Sequence, residues 1–469
     1  MVGVGGRSKA CDHCKRRRIK CDLAKPQCGR CIKARLQCGG PRGIAIIQYG
    51  QRRCTRSDDP SPVRSFALKA IAAVPADVQH PIPGIHRGLS VFHDDTFTAF
   101  TLSNFLPISG VLDVAPGTLT TKSFLALATT YFGIKRQDSA VTQFGLKRYS
   151  DALGTVHSAL AQSVSSPTFD LLEAIMVMSL IEFLVSDGEN GWIKHARGLE
   201  RLFEMRGSEA MASLPCLMIL ERTRPSLISA GLVLHKPTIM SSIAWKREPW
   251  CSHPERVDSL KLMFDILADC PSLFVLFDEI STCPDEEIRM AAIQNLCGEF
   301  HRVVASLDDW GDRFASDPSH TPDEIPAART TPMIEDEYEM LRPAWSTVFQ
   351  YQSLYHANAM AMYNATTILA LRFSDSIDVG SRSAFEHHVR EMRLSAAALS
   401  ICRSVDYHQQ ELWGEQGSFA LLFPLRMAYD GLSEEKPTVR VWLQSIMHDI
   451  SAGRQGLWRL AQTLLELGR

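Results

Sequence analysis

Long uninterrupted apolar runs are missing from this sequence of 469 residues. The longest, LLEAIMVMSLIEFLV from Leu171, is shorter than the roughly 20 residues a bilayer-spanning helix needs, and it carries Glu173 and Glu182. It predicts a core helix and no membrane partner. The opening residues MVGVGGRSKA lack an apolar core followed by a small-residue cleavage site, so the sequence predicts a chain that is not secreted. Its cysteines should then meet a reducing compartment, where clustered thiols act as metal ligands more readily than as disulfides. A phosphate-cradling glycine loop, a G-x-S-x-G elbow and an H-E-x-x-H pair are also absent, and with them the usual signs of an enzyme. The expectation is a non-enzyme.

Net charge is nearly absent as well, with 50 Lys and Arg against 52 Asp and Glu. The balance conceals an asymmetry. Residues 1–56 hold fifteen Lys or Arg against only Asp12 and Asp22, a formal +13, which leaves the remainder at -15. A basic end on an acidic body is what a handle for a polyanion requires, and nucleic acid is the first candidate.

Six of the thirteen cysteines lie in the 28 residues CDHCKRRRIKCDLAKPQCGRCIKARLQC. Cys11, Cys14, Cys21, Cys28, Cys31 and Cys38 form a unit C-x2-C-x6-C that repeats at an offset of seventeen residues. Three thiolates cannot close a tetrahedral zinc shell, which takes four ligands, so each half needs the other. Two zinc ions require eight coordination positions, and six sulfurs fill them only if two of them bridge both metals. One zinc with two spare cysteines is the alternative arrangement, and no ferredoxin spacing suggests an iron–sulfur cluster. Zinc also explains how a segment whose large aliphatics are Ile19, Leu23, Ile32 and Leu36 could fold, since structural zinc supplies on the order of 10 kcal/mol in small modules. The other seven cysteines, Cys54, Cys216, Cys251, Cys270, Cys283, Cys297 and Cys402, are scattered and read as small buried hydrophobes.

The six cysteines, the basic run between the second and third, and Pro26 in the connector together resemble the fungal binuclear zinc cluster transcription factors. The resemblance implies bridging sulfurs at Cys11 and Cys28, with Cys14 and Cys21 completing one zinc site and Cys31 and Cys38 the other. It implies a short helix after the first cysteine of each half, and reading of a CGG-type triplet in the major groove of double-stranded DNA. Within KRRRIK, neighbours on a helix stand about 100° apart, so the cations must divide their work. The third and fourth positions after the second cysteine, which supply base contacts in that family, are Arg17 and Arg18. Arginine offers a bidentate fork to O6 and N7 of guanine. The fourth position is usually lysine there, and the two residues are not interchangeable at a specific contact. Lys15, Arg16 and Lys20 would hold phosphates, adding affinity without sequence information, and Arg30, Lys33 and Arg35 would act similarly. Without the cysteines the basic run would serve equally as a nuclear import signal or a solvated face.

Beyond Cys38, Gly, Pro, Ser and Arg are too frequent for a packed element, and residues 39–84 read as a linker after a disordered stretch 1–10 and a zinc module at 11–38. Pro60, Pro62, Pro75, Pro81 and Pro83 exclude a long coiled coil there. From about residue 85 to 469 apolar residues recur at helical spacing, which predicts a mostly α protein whose large domain is all-helical. In its clearest helix, NGWIKHARGLERLFEMRG, Asn190 can cap the start, Trp192, His195, Ala196, Leu199, Leu202 and Phe203 share a face, and Gly207 can end it. Trp192, His195, Gly198, Arg206 and Gly207 resemble the W-x2-H-x2-G helix of the fungal-specific transcription factor domain, with AWKREPW and LLFPLRMA as looser matches. His195 alone on an apolar face reads as a hydrogen-bonded core residue. His387 and His388 have no ligand partner at metal spacing. The segment 307–340, with ten acids and four prolines, predicts a loosely packed acidic loop.

Taken together, the sequence predicts a zinc-dependent, nuclear, sequence-specific DNA-binding transcription factor of the RNA polymerase II type. The acidic segment adds coactivators as partners, and the resemblance adds a second copy as a partner and a metabolic or secondary-metabolite gene set as the target. A zinc-module adaptor for protein contacts and a non-specific nucleic-acid binder are the alternatives.

Overall fold

The computed structural model describes residues 14, 22, 29–34, 94–105, 117–162, 166–185, 191–327, 331–335, 341–377, 384–432, 436–452 and 457–458. The chain divides between Pro62 and Val63 into two units, a point inside the stretch expected as linker. Residues 1–10 and 39–84, and the capping Asn190, lie outside the described residues. In the first unit the described element is helix α1, Gly29–Lys33.

The second unit opens with α2 (Asp94–Asn104), α3 (Leu119–Lys135), α4 (Ser139–Gln162), α5 (Phe169–Val185) and α6 (Gly191–Arg206). Helix α5 is the apolar run starting near Leu171, and it is buried on every side, with Leu172, Ala174, Val177, Met178 and Ile181 at 0% exposure. A helix that is apolar all round belongs in the centre of a fold, and α5 packs against α3, α6 and α7 (Leu214–Leu234). Its two acids, read from sequence as evidence against a membrane span, are both buried. Glu173 accepts from the Thr120 hydroxyl at 3.1 Å. Among the described residues no helix is long and apolar enough to cross a membrane.

The first turn of α5 also closes α3. Asp170 accepts from the backbone N–H groups of Leu119 and Thr120 at 3.0 and 2.9 Å, occupying donors that a helix start leaves unpaired. Helices α3 and α4 touch backbone to backbone. A Cβ at Gly145 would stand 2.5 Å from the Thr130 nitrogen, and one at Gly133 would stand 2.5 Å from the Thr142 nitrogen.

Helix α6 carries the W-x2-H-x2-G pattern. Trp192, Ala196, Leu199, Leu202 and Phe203 are buried as expected, Arg206 donates to the Pro167 carbonyl at 2.6 Å, and Gly207 stops the helix at φ +86°. His195 is the hydrogen-bonded core residue that the sequence implied. The Tyr149 hydroxyl donates to Glu182 at 2.5 Å and lies 3.0 Å from Nε2 of His195, so one polar chain ties α4, α5 and α6. Burial pushes the Glu182 carboxyl up, yet the bonds from His195 and Tyr149 outweigh it and hold the group below its ordinary value of 4.5.

After α7 come α8 (Ile243–Arg247), α9 (Ser259–Leu267), α10 (Cys270–Thr282) and the long α11 (Glu286–Ala315). The AWKREPW segment forms α8 and a following 3-10 turn, where Trp250 stacks under two cations. The Arg224 guanidinium stands 5.2 Å and the Lys261 ammonium 4.7 Å from its ring centroid. Arg224 is 2% exposed, pairs with Asp265 and donates to the Lys261 carbonyl at 3.2 Å. Lys261 reaches the same carboxylate at 2.6 Å.

The acidic segment 307–340 is not the loop expected. Leu307, Trp310 and Phe314 are buried at 1 to 2% exposure and continue the apolar stripe of Leu296 and Val303, so α11 runs on to Ala315. Four short strands follow the helix: β1 (Asp323–Pro326), β2 (Met333–Glu335), β3 (Leu341–Pro343) and β4 (Thr347–Gln350). β1 pairs antiparallel with β4 (Glu324 opposite Phe349), and β2 pairs with β3 (Ile334 opposite Arg342). Counting acids and prolines hid a helical periodicity carried by three residues.

The chain then enters α12 (Leu354–Ile377), α13 (Ala384–His408), α14 (Gly414–Ala420), α15 (Leu422–Gly431) and α16 (Pro437–Ala452). Helices α12, α13 and α15 pack on one another, and one continuous core runs from Phe97 to Trp458. The scattered cysteines are less uniform than expected. Cys216, Cys270 and Cys402 are buried, Cys283 and Cys297 are half-buried, Cys251 is exposed, and Cys54 lies outside the described residues.

Two outcomes follow from this packing. Gly145→Ala should lower stability by about 1–3 kcal/mol through overpacking of the α3–α4 crossing, seen as an earlier urea midpoint at unchanged slope. The stability that Glu182 contributes is present at neutral pH and lost as pH falls through its depressed folded value, because the unfolded chain binds its proton first. Urea midpoints measured from pH 6 down to about pH 3 should therefore fall less steeply in Glu182→Gln than in the native protein.

Candidate metal centre and nucleic-acid interface

Two of the six clustered cysteines lie within the described residues, Cys14 and Cys31. They are equivalent positions in the repeat, the second cysteine of each C-x2-C, and both are at 0% exposure. Complete burial of two thiols is unexpected in a segment so poor in large aliphatics, because little apolar mass is available to cover them. It is the placement that sulfurs directed at a shared centre would have.

Helix α1 shows how the repeat presents charge. Cys31 faces inward, and its carbonyl accepts from the Ala34 N–H at 3.1 Å, which closes the turn. Arg30 and Lys33, three residues apart and so on neighbouring faces, are both exposed. Thiols go inward and cations outward. The remaining ligands Cys11, Cys21, Cys28 and Cys38, the expected base contacts Arg17 and Arg18, the expected phosphate contacts Lys15, Arg16 and Lys20, and Arg35 lie outside the described residues.

In the helical unit the reactive side chains have the character of packing groups. Burial pushes the thiols of Cys270 and Cys402 up to about 12, far from the thiolate form. Burial lowers His408 to about 4, while its ring nitrogens lie 2.9 Å from the Ser404 carbonyl and 3.1 Å from Asn358. His387 and His388 are exposed on the first turns of α13. Among the described residues no group of three His, Cys, Asp or Glu side chains could hold a metal ion.

A thiolate centre sets an expected outcome for metal removal. Native protein should carry two zinc ions per chain by elemental analysis. Cys31→Ala should hold fewer and lose the fold of residues 11–38, since ligand loss removes folding free energy on the order of several kcal/mol. An unchanged two-metal content in Cys31→Ala would exclude Cys31 as a ligand.

Comparison with known proteins places this segment. Residues 9–42 match the family of the fungal Zn(2)-Cys(6) binuclear cluster domain. The chain is similar to Sterol uptake control protein 2 of Saccharomyces cerevisiae, with 39% identity over 54 residues, 10% of this chain and 6% of that protein. The similarity therefore spans a small part of the relative's length. No solved structure matches the chain. The six-cysteine repeat, the inward Cys14 and Cys31 and the family match lead to one conclusion: the chain carries a fungal Zn(2)-Cys(6) binuclear cluster domain at residues 9–42, which binds two zinc ions.

Proposed function

We propose that this protein is a sequence-specific DNA-binding transcription factor in which the zinc cluster domain engages DNA and the helical unit regulates the activity or recruits partners. The observation that carries the reading is the position of KRRRIK, held between the second and third metal-binding cysteines of a domain that lies within a stretch, residues 1–56, of formal charge +13. A basic run fixed at both ends by metal is a rigid projection, and rigidity is what separates base reading from charge attraction alone.

In this reading Arg17 and Arg18 address guanine edges in the major groove, and the half-site is a CGG-like triplet rich in guanine. Lys15, Arg16 and Lys20 set the register on the phosphates. Residues 39–84 link the module to the body, and the nucleus is the site of action. Coactivators or a second copy would bind the helical unit. Sterol uptake control protein 2 is named for the control of sterol uptake, but the short shared segment leaves the gene set of this chain to experiment.

The test is selection from a random duplex pool by the full-length protein, with and without a zinc chelator. Chelator-sensitive enrichment of a guanine-rich triplet supports the reading. Equal recovery of all sequences would make the module a non-specific binder, and no recovery would favour a protein-interaction adaptor. Arg17→Ala and Arg18→Ala should each relax the triplet preference by about 1–3 kcal/mol of discrimination. A loss of affinity equal for every sequence would reassign them to phosphates.

A further inference from the structure

An aromatic ladder crosses the joint between α11 and the strands. Trp310 stacks on Phe314 at 4.7 Å and on Tyr363 at 5.1 Å, Phe314 stacks on His320 at 4.3 Å, and His320 meets His356 at 4.8 Å between ring centroids. His320 sits in the 3-10 turn Pro318–His320 that carries the chain from α11 towards β1, and His356 is in the first turn of α12. The two imidazoles thus form the far end of the stack.

The two rings differ in what surrounds them. Nδ1 of His320 lies 3.0 Å from the Phe314 carbonyl, an acceptor, so that nitrogen carries a hydrogen. Its Nε2 faces the Asp317 carboxylate at 3.7 Å. Nδ1 of His356 lies 3.3 Å from the Ser353 hydroxyl, and a proton on this ring places a positive charge against the His320 imidazole. Asp317 attracts both rings, yet it is already engaged by the Ser319 N–H at 2.9 Å and the Ser319 hydroxyl at 2.7 Å. Tyr355, adjacent to His356, turns its hydroxyl away to accept from the Leu260 N–H at 2.8 Å, near Asp258.

We propose that the His320–His356 contact is an acid-released pin that fixes the turn 317–320 and the start of β1 to α12, and that protonation of His356 loosens this joint while α11 and α13 stay folded. Burial, followed by repulsion from His320, holds His356 below its ordinary value of 6.5. For a histidine depressed in the fold, the unfolded or opened form binds the proton first. The stabilisation is complete above about 6.5 and is lost as pH falls from there through the lowered folded value. Arg403 anchors β4 by donating to the Thr347 carbonyl at 2.8 Å, and it pairs with Glu324 at 2.8 Å.

Hydrogen exchange of the full-length protein, read by mass spectrometry between pH 7.5 and 5.5 and corrected for intrinsic rates, tests the pin. Peptides within 317–327 should lose protection relative to peptides within 396–407 of α13 as the pH falls across this range. His356→Phe keeps a ring in the ladder and removes the charge, so its relative protection should be flat with pH. His320→Phe, which removes the repelling partner and leaves the burial, should make it shallower, and His356→Gln serves if the phenylalanine variant does not fold. A native protein whose 317–327 protection tracks that of α13 across the range would overturn the proposal, as would His356 variants with the native slope.

Discussion

A helix that is apolar on every face can exist in water only where other elements surround it, and α5 imposes that condition on the helical unit. Its burial brings α3, α6 and α7 together, and the polar groups it carries into the interior dictate what faces them. Glu173 must meet Thr120, and Glu182 must meet Tyr149 and His195. The contacts hold because an unsatisfied buried carboxylate would oppose folding more strongly than one lost apolar contact. The helix starting at Gly191 is thus one wall of the enclosure around α5.

The zinc module solves the opposite problem. Where α5 supplies more apolar surface than one neighbour can cover, residues 11–38 have almost none, and metal–thiolate bonds stand in for a core. The two units therefore answer to different perturbations: chelation and thiol oxidation act on one, packing changes on the other. A chain so divided can lose its zinc-held module while its larger part remains folded.

Much of this was legible in the residues. The cysteine repeat required paired metal sites because three ligands cannot fill four positions, and 3.6-residue periodicity announced the helices, α6 most plainly. The acidic segment misled because its composition resembled a solvated loop. Leu307, Trp310 and Phe314, spaced three and four apart, were the signal that composition masked. The short strands after it had no clear alternation to announce them. Equally hidden was Arg224, whose burial rests on Asp265 and Trp250 from distant parts of the chain, a pairing that no local pattern encodes. Residues 15–20, where the sequence argument about DNA is sharpest, fall outside the described residues, so Arg17 and Arg18 stand on spacing and chemistry alone.

The bond from Asp170 to the first turn of α3 has a consequence for synthesis. Its partners, the N–H groups of Leu119 and Thr120, precede it by 51 and 50 residues. A growing chain therefore exposes the start of α3 with only its local cap from Thr118, and only after α4 and the first turn of α5 have left the ribosome can the Leu119 and Thr120 donors be paired. Until then the apolar faces of α3 and α4 have each other but not their centre. Over that interval the nascent chain depends on the glycine-mediated contact of those two helices, or on a chaperone, to keep its hydrophobic surface out of reach of its neighbours.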